Sequence, residues 1–158
     1  MTAIAISELR SLAEIERAFA IRRRVFVEEQ GVSEGQEFDG LDDQARHLLA
    51  SIDGGAAGTL RMRLLECGQV AKIEQVAVLA AQRRHRVGHA LMVAALDLVQ
   101  AQGAREARVH AQTAVQKFYA GLGFVAIGDE VEEDGIAHIA MRMPLAAGPG
   151  RAGRCSNS

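Results

Sequence analysis

The chain has 158 residues, 49% hydrophobic and 24% charged, which fits one compact domain with a buried core. A formal net charge of −2 and an aromatic content of 4% argue against a nucleic-acid-binding surface, which needs basic charge and stacking rings. No apolar run approaches the roughly 20 residues that span a bilayer, and the first residues do not resemble a secretory signal. We therefore expect a cytoplasmic protein that binds neither nucleic acid nor membrane.

Composition indicates a single domain over residues 1–145. Only residues 146–158 are rich in Gly, Pro and Ser, and they predict a disordered tail. The two cysteines, Cys67 and Cys155, have neither the spacing of a disulfide framework nor that of a zinc site, so we expect reduced thiols.

The N-terminal half predicts a strand, a helix and three further strands. Alternation predicts the first strand over residues 2–6, and apolar residues at a helical period predict a helix from Ser7 through Val25. Residues 28–43 are irregular and contain seven acidic residues. The signal Asp53-Gly54-Gly55 indicates a hairpin between two of the later strands. These strands are predicted over residues 45–52, 57–65 and 70–79.

The C-terminal half predicts two helices and three strands. An Ala-, Leu- and Met-rich helix from Val87 ends before Gly103, a typical residue for that position, and a short helix over residues 115–121 ends beside Gly123. Strands are predicted over residues 106–111, 124–128 and 136–143. This order of elements indicates an α+β fold, in which helices flank a mixed sheet.

A basic cluster directly precedes the longer of these two helices. The stretch 82–91, QRRHRVGHAL, contains three arginines and two histidines. The first turn of a helix has unpaired N–H donors and a partial positive charge, and a glycine lets a ligand oxygen approach the backbone. The pattern therefore indicates an anion site suited to phosphate, and a solvated basic turn is the alternative that it leaves open.

Three motifs, in order, resemble the GCN5-related N-acetyltransferase (GNAT) family. VAVLAAQRRHRVGHALM resembles motif A, Q/R-x-x-G-x-G/A, with Arg83 at the Q/R position, Gly88 at the last glycine and Arg86 in place of the first glycine. FYAGLGF, from Phe118, resembles the signature F-Y-x-x-L-G-F, and AIRRRVFVEEQGV with EFDGLDDQARHLLA resembles the ElaA-like branch. The resemblance covers about residues 1–145 and implies the GNAT fold, a largely antiparallel mixed sheet that is splayed in the middle and flanked by about four helices.

The resemblance also implies a site for acetyl-CoA, in the gap between the strand that ends near Leu79 and the strand at 108–111. The pyrophosphate would meet the N–H groups of Arg84 through His89, and the pantetheine arm would pair with the strand backbone before Leu79. A positive φ at the first glycine of the motif would strain the arginine found there. The expected cosubstrate-binding residues are Val76, Ala77, Val78, Arg83, Arg84, His85, Arg86, Val87, Gly88, His89, Gln112 and Phe118.

N-acetylation needs a base to deprotonate the amine and an acid to protonate the leaving thiolate. Tyr119, the only tyrosine, matches the acid of the family, and a ring packed at the helix end is the alternative. Glu74 shares a face, by strand alternation, with Val76 and Val78. Burial beside it would raise the pKa of its carboxyl and suit a base that acts through a water. The alternative is a solvated glutamate, or one paired with Lys72 or an arginine.

Other polar residues have two readings each. His110, at a strand end, is either a proton relay or a structural histidine, and no metal-ligand spacing joins it to His47 and His138, so we expect no metal. The acidic segment 28–43 is either a solvated loop or attracts a cationic amine. The preceding arginines, at 22–24, are explained by the helix dipole and by pairing with these acids.

The sequence therefore predicts an enzyme that transfers an acetyl group from acetyl-CoA directly to a primary amine of a small molecule or peptide. An acetyl-CoA-binding module with weak catalysis, acting as a sensor or a subunit, is the alternative that Arg86 supports. Since members of the family often dimerise, a homodimer is a further expectation.

Overall fold

The computed structural model describes residues 3–146, so the predicted tail from residue 147 onwards lies outside the described residues. Within the described range the chain forms two compact units. The first contains residues 3–63 and 75–97, and the second contains residues 64–74 and 98–146. The single domain over residues 1–145 stays a prediction.

The first unit begins with two antiparallel strand pairs. The elements that begin in this stretch are β1 (Ile4–Leu9), α1 (Leu12–Arg22), a π-helical segment (Arg23–Glu29), α2 (Glu34–Glu37), β2 (Arg46–Ile52) and β3 (Gly55–Leu65). Strands β1 and β2 pair from Ile4↔Ile52 to Leu9↔His47, and β2 pairs with β3 across the predicted hairpin, where Asp53 and Gly54 both have positive φ.

The second unit contains parallel and antiparallel pairs. The elements from β4 onwards are β4 (Val70–Val78), α3 (Val87–Ala101), β5 (Glu106–Gln112), α4 (Gln116–Leu122), β6 (Val125–Ala126), β7 (Val131–Glu133) and β8 (Ile136–Pro144). Of these, β4 ends in the first unit and α3 begins in it. Residues Val70–Ile73 of β4 pair in parallel with Glu106–Val109 of β5, whereas β8 pairs antiparallel with β5, β6 and β7.

These elements confirm the predicted α+β class, because the described residues contain mainly antiparallel strands, one parallel pair and four α-helices. No helix among residues 3–146 is long and apolar enough to cross a membrane.

The start of α1 differs from the prediction. Ser7 lies in β1, opposite Leu49, and α1 is instead capped by Ser11, whose hydroxyl accepts a hydrogen bond from the Glu14 N–H at 3.2 Å. Both serines suit a cap, and pairing of β1 along β2 decides between them. The expectation of a reduced thiol at Cys67 is wrong, because this residue is disulfide-bonded. Cys155 lies outside the described residues.

A close contact in the first unit positions the start of α3. Gly58 of β3 is packed so tightly that a Cβ atom there would lie 2.9 Å from Val87 Cγ1, 3.0 Å from the Ala77 carbonyl oxygen and 3.1 Å from Leu91 Cδ1. Val87 and Leu91 are fully buried. The absence of a side chain at Gly58 therefore lets the first turns of α3 lie directly against β3.

Candidate functional site

The turn before α3 has a left-handed residue at its end. A 3₁₀ segment, Ala80–His85, leads to Arg86, which has φ 60° and ψ 30°, and α3 begins at Val87. The first hydrogen bond of the helix runs from the Ala90 N–H to the Arg86 carbonyl at 3.1 Å. The N–H groups of Val87, Gly88 and His89 precede this bond and therefore have no acceptor within the helix. This positive φ is the conformation that glycine tolerates best, and it is the condition under which an arginine at this position would be strained.

The basic side chains of this turn fall into two groups. Arg83 is already paired: its Nε donates to the Val78 carbonyl oxygen at 3.0 Å and its guanidinium pairs with Glu29 at 2.6 Å. Arg84, His85 and Arg86 are exposed. Among residues 3–146 neither Arg84 nor Arg86 has an ion-pair partner. Uncompensated positive charge therefore lies beside the unpaired amides of α3, which is the electrostatic setting of an anion site.

The strand that leads to this turn is interrupted. Gln75 has φ 54°, unusual for a non-glycine residue in a strand, and its side-chain amide donates to the Glu37 carbonyl at 3.3 Å. The prediction that Glu74 shares a face with Val76 and Val78 assumed an unbroken strand, and this break removes its basis. Beyond it, Ala77 is buried, Val76 and Val78 are half-buried, and the Leu79 N–H donates to the Ala57 carbonyl at 2.9 Å.

Glu74 is largely enclosed in the second unit. Its side chain is 11% exposed, and one carboxylate oxygen lies 3.2 Å from Lys72 Nζ. The two side chains are two residues apart on β4, the spacing that brings strand side chains to the same face. This ion pair is one of the alternatives that the sequence left open for Glu74.

Tyr119 is buried in α4 against two aromatic rings. Its ring meets the edges of Phe118 and Phe124 at centroid distances of 5.0 and 5.9 Å, and burial raises the pKa of its phenol to about 12. Within the described part of the chain its hydroxyl has no hydrogen-bond partner. At neutral pH this phenol is therefore protonated, so it can donate a proton or a hydrogen bond but cannot act as a base.

The helix that carries Tyr119 ends at a glycine that the motif requires. Gly123 has φ 112°, and the N–H of Phe124 donates to the Tyr119 carbonyl at 3.1 Å. A Cβ at Gly123 would also lie 2.8 Å from Met143 Sδ. Phe118 is half-buried, and Gln112, at the end of β5, lies opposite His138 of β8.

Of the three strand histidines, His110 and His138 contact each other and His47 does not contact them. The rings of His110 and His138 stack at a centroid distance of 5.1 Å, and His110 Nε2 lies 3.0 Å from Glu133 Oε1. His47 belongs to the first unit, where it is buried and its Nε2 lies 3.1 Å from the Asp42 carbonyl oxygen. Burial lowers the pKa of His47, which favours the neutral ring. Sequence reasoning missed Glu133, because β7 is three residues long and shows no alternation of apolar and polar residues.

Part of the acidic segment of the first unit is anchored by buried arginines. Arg22, buried in α1, binds Glu37 through Nε at 2.8 Å and Asp42 through a terminal nitrogen at 2.6 Å. Arg61, also buried, binds Asp39 at 2.7 Å and Asp42 at 3.1 Å. Charges buried in this way are stable only when they are paired, so these acids hold the segment in place.

Burial and ion pairing act in opposite directions on Glu37. Burial raises the pKa of its carboxyl, and the hydrogen bond and charge of Arg22 lower it in part. The neighbouring arginines pair as expected, Arg23 with Glu34 at 2.8 Å and Arg24 with Glu28 at 3.9 Å. Six of the seven acids of the segment therefore pair with arginines of the same unit.

Comparison with known proteins is consistent with this geometry. Residues 18–145 match the family model described as an acetyltransferase (GNAT) domain. The Bacillus subtilis protein YyaT is 34% identical over 139 residues, which cover 86% of this chain and 93% of YyaT. The crystal structure of Escherichia coli ElaA is 28% identical, with a TM-score of 0.80 and coverage of 89% of this chain and 99% of ElaA. An acyl-CoA N-acyltransferase from Pseudomonas aeruginosa is 31% identical, with a TM-score of 0.77 and the same coverage. These likenesses confirm the family and the ElaA-like resemblance.

Proposed function

Since the chain belongs to the GNAT family of acetyltransferases, we propose that it transfers an acetyl group from acetyl-CoA to a primary amine of a small molecule or peptide by direct attack, in the cytoplasm. The observation that carries this proposal is the turn at Arg86, which leaves the first amides of α3 beside two exposed arginines that have no ion-pair partner among the described residues. An exposed helix N-terminus with guanidinium groups suits a diphosphate.

The residues of this turn fit the diphosphate of coenzyme A. The N–H groups of Arg84 through His89 would hold its oxygens, with Arg84 and Arg86 adding charge-assisted hydrogen bonds. Arg83 has a different role in this proposal, because its guanidinium ties the turn to the Val78 carbonyl and to Glu29. The backbone of β4 next to Val78 would pair with the amide-bearing arm, and Gln112 and Phe118 would contact the same cosubstrate.

Tyr119 is proposed as the acid. Bound acetyl-CoA supplies the thioester that the amine attacks. With a pKa of about 12, the Tyr119 phenol retains its proton at neutral pH, and its hydroxyl has no acceptor within residues 3–146, so it can donate to the leaving sulfur. Phenylalanine at this position keeps the ring contacts with Phe118 and Phe124 and removes only the donor.

Glu74 is proposed as the base, accepting the proton of the amine through a water. Its carboxylate is largely enclosed and lies 3.2 Å from Lys72 Nζ. Glutamine at this position keeps the shape of the side chain and removes the proton acceptor.

The test is an acceptor screen with mixed primary amines, read out as release of free thiol from acetyl-CoA. We expect turnover to fall about 10²–10⁴-fold in Tyr119→Phe and in Glu74→Gln, the range for loss of a general acid or base. The dissociation constant of acetyl-CoA, measured by calorimetry, is expected to stay unchanged in both. Equal losses of turnover and affinity in Tyr119→Phe would instead mean that the residue only supports the structure.

The diphosphate site has its own matched pair of variants. Arg84→Ala is expected to weaken acetyl-CoA binding, and Arg105→Ala, which removes another exposed arginine outside the turn, is expected not to. If the wild-type protein bound no acetyl-CoA at high micromolar concentration, the proposed function would be refuted. Binding without thiol release for any amine would favour the sensor or subunit alternative over the enzyme.

A further inference from the structure

Three side chains with metal-binding atoms converge on one face of the strands in the second unit. His110 of β5, Glu133 of β7 and His138 of β8 each offer a ligand atom, and these atoms lie within 4.8 Å of one another. The register explains the convergence. His138 lies opposite Gln112 on one side and Val131 on the other, so His110 and Glu133 are its diagonal neighbours. Diagonal neighbours on one face of an antiparallel pair are within reach of long side chains.

The two imidazole rings already have the separation that a shared metal ion requires. With Zn–N bonds of about 2.0–2.1 Å at a tetrahedral angle, two imidazoles on one zinc ion have centroids about 5 Å apart. The observed distance between the centroids of His110 and His138 is 5.1 Å. Donor atoms on such an ion lie about 3.3 Å apart, and His110 Nε2 and Glu133 Oε1 are 3.0 Å apart. The two rings lie parallel, at an interplanar angle of 2°, so one imidazole must turn before both ring nitrogens point at the same ion.

A backbone contact sets the state of the second histidine. His138 Nδ1 lies 2.8 Å from the Ile136 carbonyl oxygen, which can only accept a hydrogen bond. The proton of a neutral His138 is therefore on Nδ1, and Nε2 presents a lone pair. This arrangement, in which one nitrogen binds the backbone and the other is left to coordinate, is typical of histidine ligands in metal sites.

We propose that His110, Glu133 and His138 bind a divalent transition-metal ion, with zinc as the best fit. Two imidazoles and a carboxylate are a zinc donor set that leaves a fourth position for water or another ligand. The ion takes the place of the hydrogen between His110 and Glu133, and a neutral His110 that coordinates through Nε2 has its proton on Nδ1. The side chains of His110 and Glu133 are 33% and 54% exposed, so the ion can enter from solvent.

The charges around the site do not oppose a cation. Arg108, two residues before His110 on the same face of β5, is bonded to Glu106 and lies 3.6 Å from Glu66. Its positive charge is therefore compensated locally. A bound ion would join β7 and β8, which form one hairpin, to β5, and would restrain that hairpin at the surface of the second unit.

The experiment uses the full-length protein, stripped with a chelator and dialysed. Zinc chloride is titrated into it by calorimetry, and zinc that remains after desalting is counted by elemental analysis. We expect one ion per chain. We expect His110→Ala and His138→Ala each to weaken binding at least about 100-fold, since even the loss of an outer partner costs 10–100-fold. Glu133→Gln is compared with Glu132→Gln as its matched control, because the side chains of neighbouring strand residues point to opposite faces of the sheet. Only Glu133→Gln should lose affinity.

A second measurement separates this site from zinc bound elsewhere. Cobalt(II) in the same site should give the visible absorption of a tetrahedral ion, and this absorption should be absent from His138→Ala, whose fold is checked by circular dichroism. Two results would overturn the proposal: no zinc binding by the stripped wild-type protein at about 100-fold the concentration of the chain, or unchanged zinc affinity in both histidine variants. The second would place the ion at other residues.

Discussion

Arg86 offers a direct measurement of backbone strain in the proposed diphosphate turn. The residue has φ 60° and ψ 30°, a conformation that glycine adopts freely and that crowds the Cβ atom of any other residue. Its side chain is exposed, so replacing it disturbs no packing. Two variants separate the effects. Arg86→Ala removes the guanidinium and keeps the Cβ atom, whereas Arg86→Gly removes both.

The expected difference between these two variants follows from two opposing terms. Relief of the left-handed strain favours glycine by about 1–2 kcal/mol. The greater freedom of glycine in the unfolded chain opposes this by about 0.5–1 kcal/mol. We therefore expect Arg86→Gly to be more stable than Arg86→Ala by about 0.5–1 kcal/mol. For a chain of this size that corresponds to a difference in Tm of about 1–4 °C.

The assay is thermal and urea unfolding of both variants and the wild type, in one buffer without acetyl-CoA. A glycine variant that melts at or below the temperature of the alanine variant would refute the strain at this residue. Calorimetry with acetyl-CoA then separates charge from conformation. If the guanidinium contacts the diphosphate, both variants lose affinity relative to the wild type.

Three other predictions concern stability in the first unit. Gly58→Ala forces a methyl group against Val87 and the β4 backbone, and it should lower the free energy of unfolding by about 1–3 kcal/mol, seen as a lower Tm. The control is Gly121→Ala, which has nothing within 4 Å of the added atom and should leave Tm unchanged or raise it slightly. Arg22→Met leaves two carboxylates without their main partner and should lower the free energy of unfolding by about 3–5 kcal/mol in urea titrations; a loss below about 1 kcal/mol would contradict the buried network. Arg61 lowers the pKa of Asp39 from 3.8 to about 2, so its stabilisation is complete above about pH 4 and is lost as pH falls towards 2. Asp39→Asn should flatten the fall in unfolding free energy over this range, and an unchanged slope would count against the pair.

Much of the fold could be predicted because its signals are local. The hairpin at Asp53, the start of the long helix at Val87 and the end of the short helix at Gly123 depend on which backbone angles each residue tolerates. The order of the motifs in turn indicated the family, which the match over residues 18–145 confirms. Arg86 shows the limit of this reasoning, since the motif only raised the possibility of a positive φ at this residue and the structure was needed to establish it.

The sequence by itself determined the α+β class, the family and the turn in front of α3, because these depend on residues that are adjacent along the chain. Only the tertiary structure decided which side chains from different strands and loops meet. It pairs Arg83 with Glu29, buries Glu37 in an ion pair with Arg22, and places Glu133 next to the two stacked histidines. Such partners depend on strand register and on the cost of burying a charge without a counter-charge, and neither is set by neighbours in sequence.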